Sequence, residues 1–161
     1  MVAPLMLIVC YLLTTLFGYG VHYALHQPWS GRWHRKHLVH HTLLYDPLHY
    51  QSDSYRDAGA NSTFWIFAAA SIPMLAIPIV LWAVGWIGGW ITMGLLVEML
   101  LIGWLHDHIH DQFHLTRSWL GWLPIFRRWN ELHYTHHTDM GSNLGIFWFG
   151  WDRLFRSFKT K

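Results

Sequence analysis

"FWIFAAASIPMLAIPIVLWAVGWIGGWITMGLLVEMLLIGWL", residues 64 to 105, contains a single charged side chain, Glu98. Two nineteen-residue apolar runs lie in it, Phe64 to Trp82 and Ile87 to Leu105. At 1.5 Å rise per residue, each helix would reach about 28 Å, close to the roughly 30 Å hydrocarbon core of a bilayer. The glycines of "AVGWIGG", residues 83 to 89, suit a tight turn, so the stretch reads as a membrane-spanning helical hairpin with Pro73 and Pro78 placed to bend its first arm. A third apolar run, Val2 to Tyr19, is eighteen residues long and uncharged. It has no basic leader and no clear small-residue cleavage site before it meets His22, and it is read as a span and not as a signal peptide.

Three spans place residues 20 to 63 and 106 to 161 on one side of the membrane. All eleven cations fall there: Arg32, Arg35, Lys36 and Arg56 in the first stretch, and Arg117, Arg127, Arg128, Arg153, Arg156, Lys159 and Lys161 in the second. The positive-inside rule then predicts a cytoplasmic polar face, at a bacterial inner membrane or the endoplasmic reticulum. All fourteen histidines belong to that face. Hydrophobic residues make up 53% and charged residues 12%, a lipid-facing composition, and a net charge of +2 gives none of the basic field that nucleic acid binding requires. A chain of 161 residues suits one domain, 1–161. The single cysteine, Cys10, supports neither an internal disulfide nor a thiolate metal site, so a metal here would need nitrogen and oxygen ligands. The expected fold is therefore an all-α integral membrane protein, with about three transmembrane helices and a cytoplasmic helical cap. Short helices are expected around 20 to 44, near 127 to 138 and near 148 to 158, and the third span should continue to about His114. "SWLGWLPIF" and "IFWFGWDRLF", with tryptophan beside arginine, suit the headgroup level or the protein's own core.

The cap carries histidine in a repeated pattern. "HLVHH" at 37 to 41 and "HYTHH" at 133 to 137 are both His-x-x-His-His, which chance at this histidine content would produce about 0.1 times. On a helix, His37, His40 and His41 lie within about 100° of arc, as do His133, His136 and His137. His22 with His26 and His110 with His114 have i, i+4 spacing, and His106 stands four before His110. Crowded imidazoles repel whenever protonated, and a metal ion removes that difficulty. Three plus three plus two plus two ligands are too many for one ion and suit two, each with an open position. Asp107, Asp111 and Asp139 lie beside the clusters, as acceptors that fix imidazole tautomers or as solvated carboxylates. Glu98, deep in the third span, lines a route to the metal or makes a structural hydrogen bond. His34, His49 and His108 read as solvated or capped side chains.

These residues resemble the membrane-bound fatty acid hydroxylase and sterol desaturase superfamily, whose histidine boxes carry a dinuclear metal centre. The resemblance runs from "GYGVHYALHQP" to "WDRLFRSF". "HYALH" is similar to the first box, with His22 and His26, and "HLVHH" to the second, with His37, His40 and His41. "DHIHDQFH" is similar to the third, favouring His110 and His114, while "HDHIH" allows His106 instead. "HYTHH" is similar to the fourth, with His133, His136 and His137, and "NLGIFWFGWDRLF" resembles the closing Asn, Gly and Trp-Asp-Arg-Leu-Phe region. A single span precedes the first box, a minimal version of the family's plan.

The resemblance implies a pair of iron ions, or zinc after isolation in air, and an O2-dependent hydroxylase or desaturase acting on a lipid such as a fatty acyl chain, sterol or carotenoid. Such a reaction consumes two electrons. The chain has no Gly-x-Gly-x-x-Gly fingerprint, iron-sulfur cysteine set or haem attachment motif, so no bound flavin, NAD or haem is expected. A separate donor of cytochrome b5, ferredoxin or rubredoxin type would supply the electrons, and Arg127, Arg128, Arg153 and Arg156 are placed to dock it or to meet anionic lipid. Three other classes stay open: a haem electron carrier, a zinc-dependent membrane hydrolase and a metal-storage or metal-transport protein. They predict facing histidines within spans, one three-ligand ion and polar ligands along a membrane path respectively.

Overall fold

The computed structural model describes residues 2–59 and 62–160, so Lys161, counted above on the basic face, lies outside the described residues. The described chain is helical, and its one β-bridge is an isolated contact of Ser52 with Leu115. Three helices are long and apolar enough to cross a membrane: α1 (Val2–Leu25), α3 (Phe64–Ala83) and α4 (Gly89–Phe113). Between α1 and α3 lies α2 (Arg32–Val39), followed directly by a π-helical turn, His40–Leu44. After α4 come α5 (Pro124–Thr138) and the single-turn α6 (Gly150–Leu154). The expected helix at 127 to 138 thus starts three residues earlier, at Pro124, whose fixed φ and missing N–H favour a first-turn position. The one expected over 148 to 158 shrinks to 150–154 because Arg156 takes a positive φ of 62° and stops it.

The hairpin forms as its glycines dictate. Helix α3 ends in a Schellman motif: Gly85, at φ +79°, donates its N–H to Trp82 O, and the Trp86 N–H bonds back to Leu81 O. Gly88 then caps α4. Helix α3 continues through Pro73 and Pro78. Its carbonyls at Ala69 and Met74 lack an i+4 amide because proline has none to give.

The spans present apolar side chains outward, as lipid-facing helices do: Leu5, Ile8, Ile72, Val80, Val97 and Leu100 are all exposed. Trp82, Trp86 and Trp90 gather at the hairpin turn, while Trp29, Trp65, Trp119 and Trp122 stand exposed at the opposite end, the two-belt pattern of interfacial tryptophan. Helix α4 is the central span, packed against both α1 and α3. The compact core lies at the histidine-bearing end, where Phe113 of α4, Phe126 of α5, Tyr50, Ile109 and Ile146 pack together. The loop after the π-turn is pinned there: Ser52 N donates to His114 O, and Thr116 N to Ser52 O.

Phe126 is 2% exposed and packs on Phe113 with ring centroids 5.2 Å apart. Phe126→Ala should therefore cost about 3–5 kcal/mol of stability, read as a lowered unfolding midpoint in detergent with the far-UV helical signal retained at low temperature.

Candidate metal centre

Each histidine box sits where a helix leaves its span or packs beneath one. Helix α1 runs past the expected Tyr19 to Leu25, so His22 projects from its last turns and His26 follows its end. Helix α4 carries His110 and ends at His114. His37 lies on α2, His40 and His41 open the π-turn, and α5 bears His133, His136 and His137 in its last turns.

These segments bring the imidazoles into two groups. In one, ligand nitrogens of His22, His26, His37, His41 and His136 lie within 4.8 Å of one another, and in the other those of His40, His114, His133 and His137 do. His110 adjoins the second, its ring 4.9 Å from His40, 5.0 Å from His114 and 4.8 Å from His133. The groups abut, with the rings of His41 and His137 4.1 Å apart. Each His-x-x-His-His triplet is divided between them. On a helix, the i and i+4 members lie about 40° apart, while the i+3 member points about 60° to the other side. Accordingly, His37 and His41 join the first group and His40 the second, whereas His133 and His137 join the second group and His136 the first.

The nitrogens meet as a coordination sphere requires. Nε2 of His26 lies 3.0 Å from that of His37 and 3.2 Å from that of His136; His37 and His41 are 3.1 Å apart, and His114 and His133 3.3 Å. Two nitrogens bound to one metal at about 2.1 Å are about 3.0 to 3.4 Å apart for angles between octahedral and tetrahedral. One neutral His26 ring cannot aim a single Nε2 proton at both His37 and His136, so these contacts are not all met by hydrogen bonds between neutral imidazoles. The Nδ1–H of His22 donates to Leu144 O (2.7 Å), of His136 to Ser142 O (2.8 Å), of His114 to Tyr50 O (2.9 Å) and of His137 to Tyr45 O (2.7 Å). Each therefore presents a bare Nε2 lone pair inward. Nε2 of His22, His40 and His137 is buried without any hydrogen-bond partner. Buried lone pairs without partners, gathered with the other ligand nitrogens of each group, fit a cation.

Burial holds His37, His41, His114, His133, His136 and His137 well below the usual histidine range, with neighbouring imidazoles adding to the shift, and it lowers His26 to about 4. All are neutral at pH 7, the form that binds metal.

The supporting groups are the ones that sequence reasoning missed. Asp57 accepts from His40 Nδ1 at 3.1 Å and from Thr63 Oγ1 at 2.6 Å. Burial pushes its carboxyl up, but the donors from His40 and Thr63 outweigh this and hold it below the usual carboxylate range. It lies in a polar loop with no spacing signal. The carbonyls of Tyr45, Tyr50, Ser142 and Leu144 were equally invisible, since any residue type supplies a carbonyl. Among the expected carboxylates, Asp139 takes the Lys159 ammonium at 2.8 Å and the Gly141 amide. Asp107 and Asp111 line an open cleft with Tyr55 and Asp57, and the Tyr55 hydroxyl is 3.5 Å from His110 Nδ1.

His106 stands apart from both groups, its ring 5.1 Å from Phe67. It lines an apolar cavity of about 370 Å³ between α1, α3 and α4, bordered by Phe17, Phe67, Met74, Ile102 and the loop Leu144–Trp148. Phe67 also meets the His22 ring edge-on at 6.2 Å, so the cavity ends against the first imidazole group. Glu98 is outside this lining and lies instead beside Cys10 at the α1–α4 contact. His34 caps the Leu25 carbonyl, His49 pairs with Asp46, and His108 stacks on Trp104.

A helical membrane protein with a paired imidazole cluster below its spans defines a class, the histidine-box membrane proteins. The chain belongs to the fatty acid hydroxylase family, whose model matches residues 7–157. Comparison with curated proteins and with solved structures found no match.

Metal analysis of purified variants should separate ligands from bystanders. His136→Ala should lose metal from the first group, while His49→Ala, at an exposed pair with Asp46, should retain the wild-type content. The buried histidines also set a pH limit. Their folded-state pKa values lie below the unfolded value near 6.5, so acid favours the unfolded chain, which binds more protons. Stability of chelator-stripped protein should be fully present above about pH 6.5 and fall as pH drops toward 4, measured by thermal unfolding across that range.

Proposed function

We propose that this protein is a membrane-bound di-iron oxygenase that hydroxylates or desaturates a C–H bond of a lipid, with its histidine-bearing face toward the cytoplasm. The observation that carries the reading is the position of the apolar cavity, which lies between the spans and is bordered by His106 and by Phe67, whose far side meets the His22 ring, beside the nine imidazoles of the two groups and the adjoining His110. In this reading, His22, His26, His37, His41 and His136 hold one iron, and His40, His110, His114, His133 and His137 the other. Bound there, the iron pair supplies O2 reduction, which no side chain can perform.

The chain's own residues do the rest. Thr15 and Ser71 on the cavity wall turn their hydroxyls to the carbonyls of Tyr11, Leu12 and Phe67, leaving a wall suited to hydrocarbon. Phe17, Phe67, Met74 and Ile102 exclude water from the bound chain and set its path toward His22. For hydroxylation the balance is R–H + O2 + 2e⁻ + 2H⁺ giving R–OH + H2O, so each turnover draws two electrons from a separate carrier. Arg127, Arg128, Arg153 and Arg156 are exposed and offer cationic contacts to an acidic carrier protein.

The donor count weighs against a hydrolytic zinc site, which needs three protein ligands and one open position, against five imidazoles in the first group alone. It also weighs against haem, since the ligand atoms crowd together and do not face each other across a slot.

Anaerobically purified protein should carry two irons per chain, and lipid extracts of cells expressing it should contain a hydroxylated or newly unsaturated lipid absent from cells with His137→Ala. One metal per chain, or identical lipid profiles, would overturn the assignment.

A further inference from the structure

Two imidazoles of the first group, from helices far apart in sequence, are held by carbonyls of one short loop. His136 of α5 donates to Ser142 O and His22 of α1 to Leu144 O, and their rings meet edge to face at 4.6 Å. The residue between these carbonyls, Asn143, is fully buried at φ +48°, a left-handed conformation that asparagine tolerates better than most residues. That conformation turns successive carbonyls toward different partners. Its side chain then locks the turn: Nδ2 donates to Leu132 O at 3.1 Å and Lys159 O at 2.8 Å, and Oδ1 accepts from Lys159 N at 2.9 Å.

Asp152 secures the other side. Its carboxylate is fully buried and accepts from Leu144 N at 2.7 Å, Gly145 N at 3.0 Å and Ser157 Oγ at 2.8 Å. Position 145 must be glycine for this grip, because a Cβ there would overlap the Trp148 carbonyl and come within 2.8 Å of Asp152 Oδ2. The C-terminal segment is itself tied to α1, through Trp151 Nε1 to Thr15 Oγ1 at 3.1 Å and Tyr19 to Ser157 at 3.1 Å. The second group has its own support, the 45–57 loop, which receives His137, His114 and His40 on Tyr45 O, Tyr50 O and Asp57.

We infer that Asn143 and Asp152 are positioning residues for the first metal site alone: they clasp the 142–145 loop so that its carbonyls fix the tautomer and aim of His22 and His136. The inference rests on the metal-centre reading for its consequence and on the hydrogen bonds for its mechanism. A histidine released from its carbonyl divides between two tautomers, one of which buries a proton where a lone pair must point. Loss of the clasp therefore weakens one ion's site and leaves the other's second support intact.

The test uses full-length protein in detergent, with Asp152→Asn and, as a milder change that keeps the backbone conformation available, Asn143→Gly. In chelator-stripped samples, ¹⁵N spectra of the histidine rings should show His22 and His136 moving from a pure Nδ1–H tautomer to a mixture, with His114 and His137 unchanged. In metal-loaded samples, chelator should extract one of two ions at least tenfold faster than from wild type, and the other at the wild-type rate. Asp57→Asn should accelerate the other ion instead. Unchanged ring signals at His22 and His136, or equal changes at all four histidines, would overturn the clasp, the latter by revealing a general loosening. A wild-type chain that binds fewer than two ions would instead overturn the dinuclear reading, while the ring signals would still decide the clasp.

Discussion

Bare imidazole lone pairs buried together constrain everything else in this molecule. Each ring that gives its Nδ1 proton to a carbonyl or carboxylate turns an unprotonated Nε2 inward, and Nε2 of His22, His40 and His137 is buried there without a partner while other ring nitrogens crowd to 3.0 to 3.3 Å. Away from water such an arrangement is repulsive and loses hydrogen bonds to solvent. It becomes favourable only when a cation meets the lone pairs. The helices, their ends and the two supporting loops can be understood as the means of holding these rings in place against that cost.

The apparatus divides into halves of similar construction. The first half takes two i, i+4 pairs and one crossing histidine, His22 and His26, His37 and His41, with His136 crossing; the second takes His133 and His137, with His40 crossing, and His114, whose i, i+4 partner His110 adjoins the group. Each crossing residue belongs to a triplet whose pair serves the other half, so α2 with its π-turn and α5 are shared between halves. The shared helices fix the distance between the groups, as rigid elements do more reliably than loops. The π-turn has a local role in this. With Tyr45 N bonded to His40 O, the turn widens from His40 onward, within the triplet, and the chain leaves α2 toward the loop whose carbonyls support the second group.

Much of this was legible in the sequence, for identifiable reasons. Span length follows from hydrocarbon thickness, and the hairpin from Gly85 and Gly88, so apolar runs and glycines sufficed for the membrane architecture. Helix periodicity likewise made the i, i+4 pairs visible before any coordinates. The 40° against 60° separation even contained the division of each triplet, although nothing in it says which group receives the pair. Physical reasons also explain what stayed hidden. Backbone carbonyls carry no residue signature, so the supports at Tyr45, Tyr50, Ser142 and Leu144 could not be read from type or spacing. Asp57 looked like any loop acid, Asp152 stood in the Trp-Asp-Arg-Leu-Phe stretch with no sign of the amides it would hold, and Asp139, closer to a histidine triplet in sequence, turned to Lys159 at the surface.

The cavity explains why the first half has the more elaborate support. The loop that receives His22 and His136 continues as Leu144–Trp148 along the cavity wall, and Phe67 touches both the cavity and the His22 ring. Under the proposed function, a hydrocarbon chain entering between α1, α3 and α4 would press on the same backbone that sets a ligand's aim. A loosely held loop would let each occupant move His22 and degrade the lone-pair geometry. A loop fixed by the buried carboxylate of Asp152 and the side chain of Asn143 transmits little of that pressure, and it leaves the softer side chains, Phe67 and Met74, to adapt to the chain. The second half faces the open cleft of Tyr55, Asp57 and Asp111 and bears no such load, in keeping with support from a simpler loop.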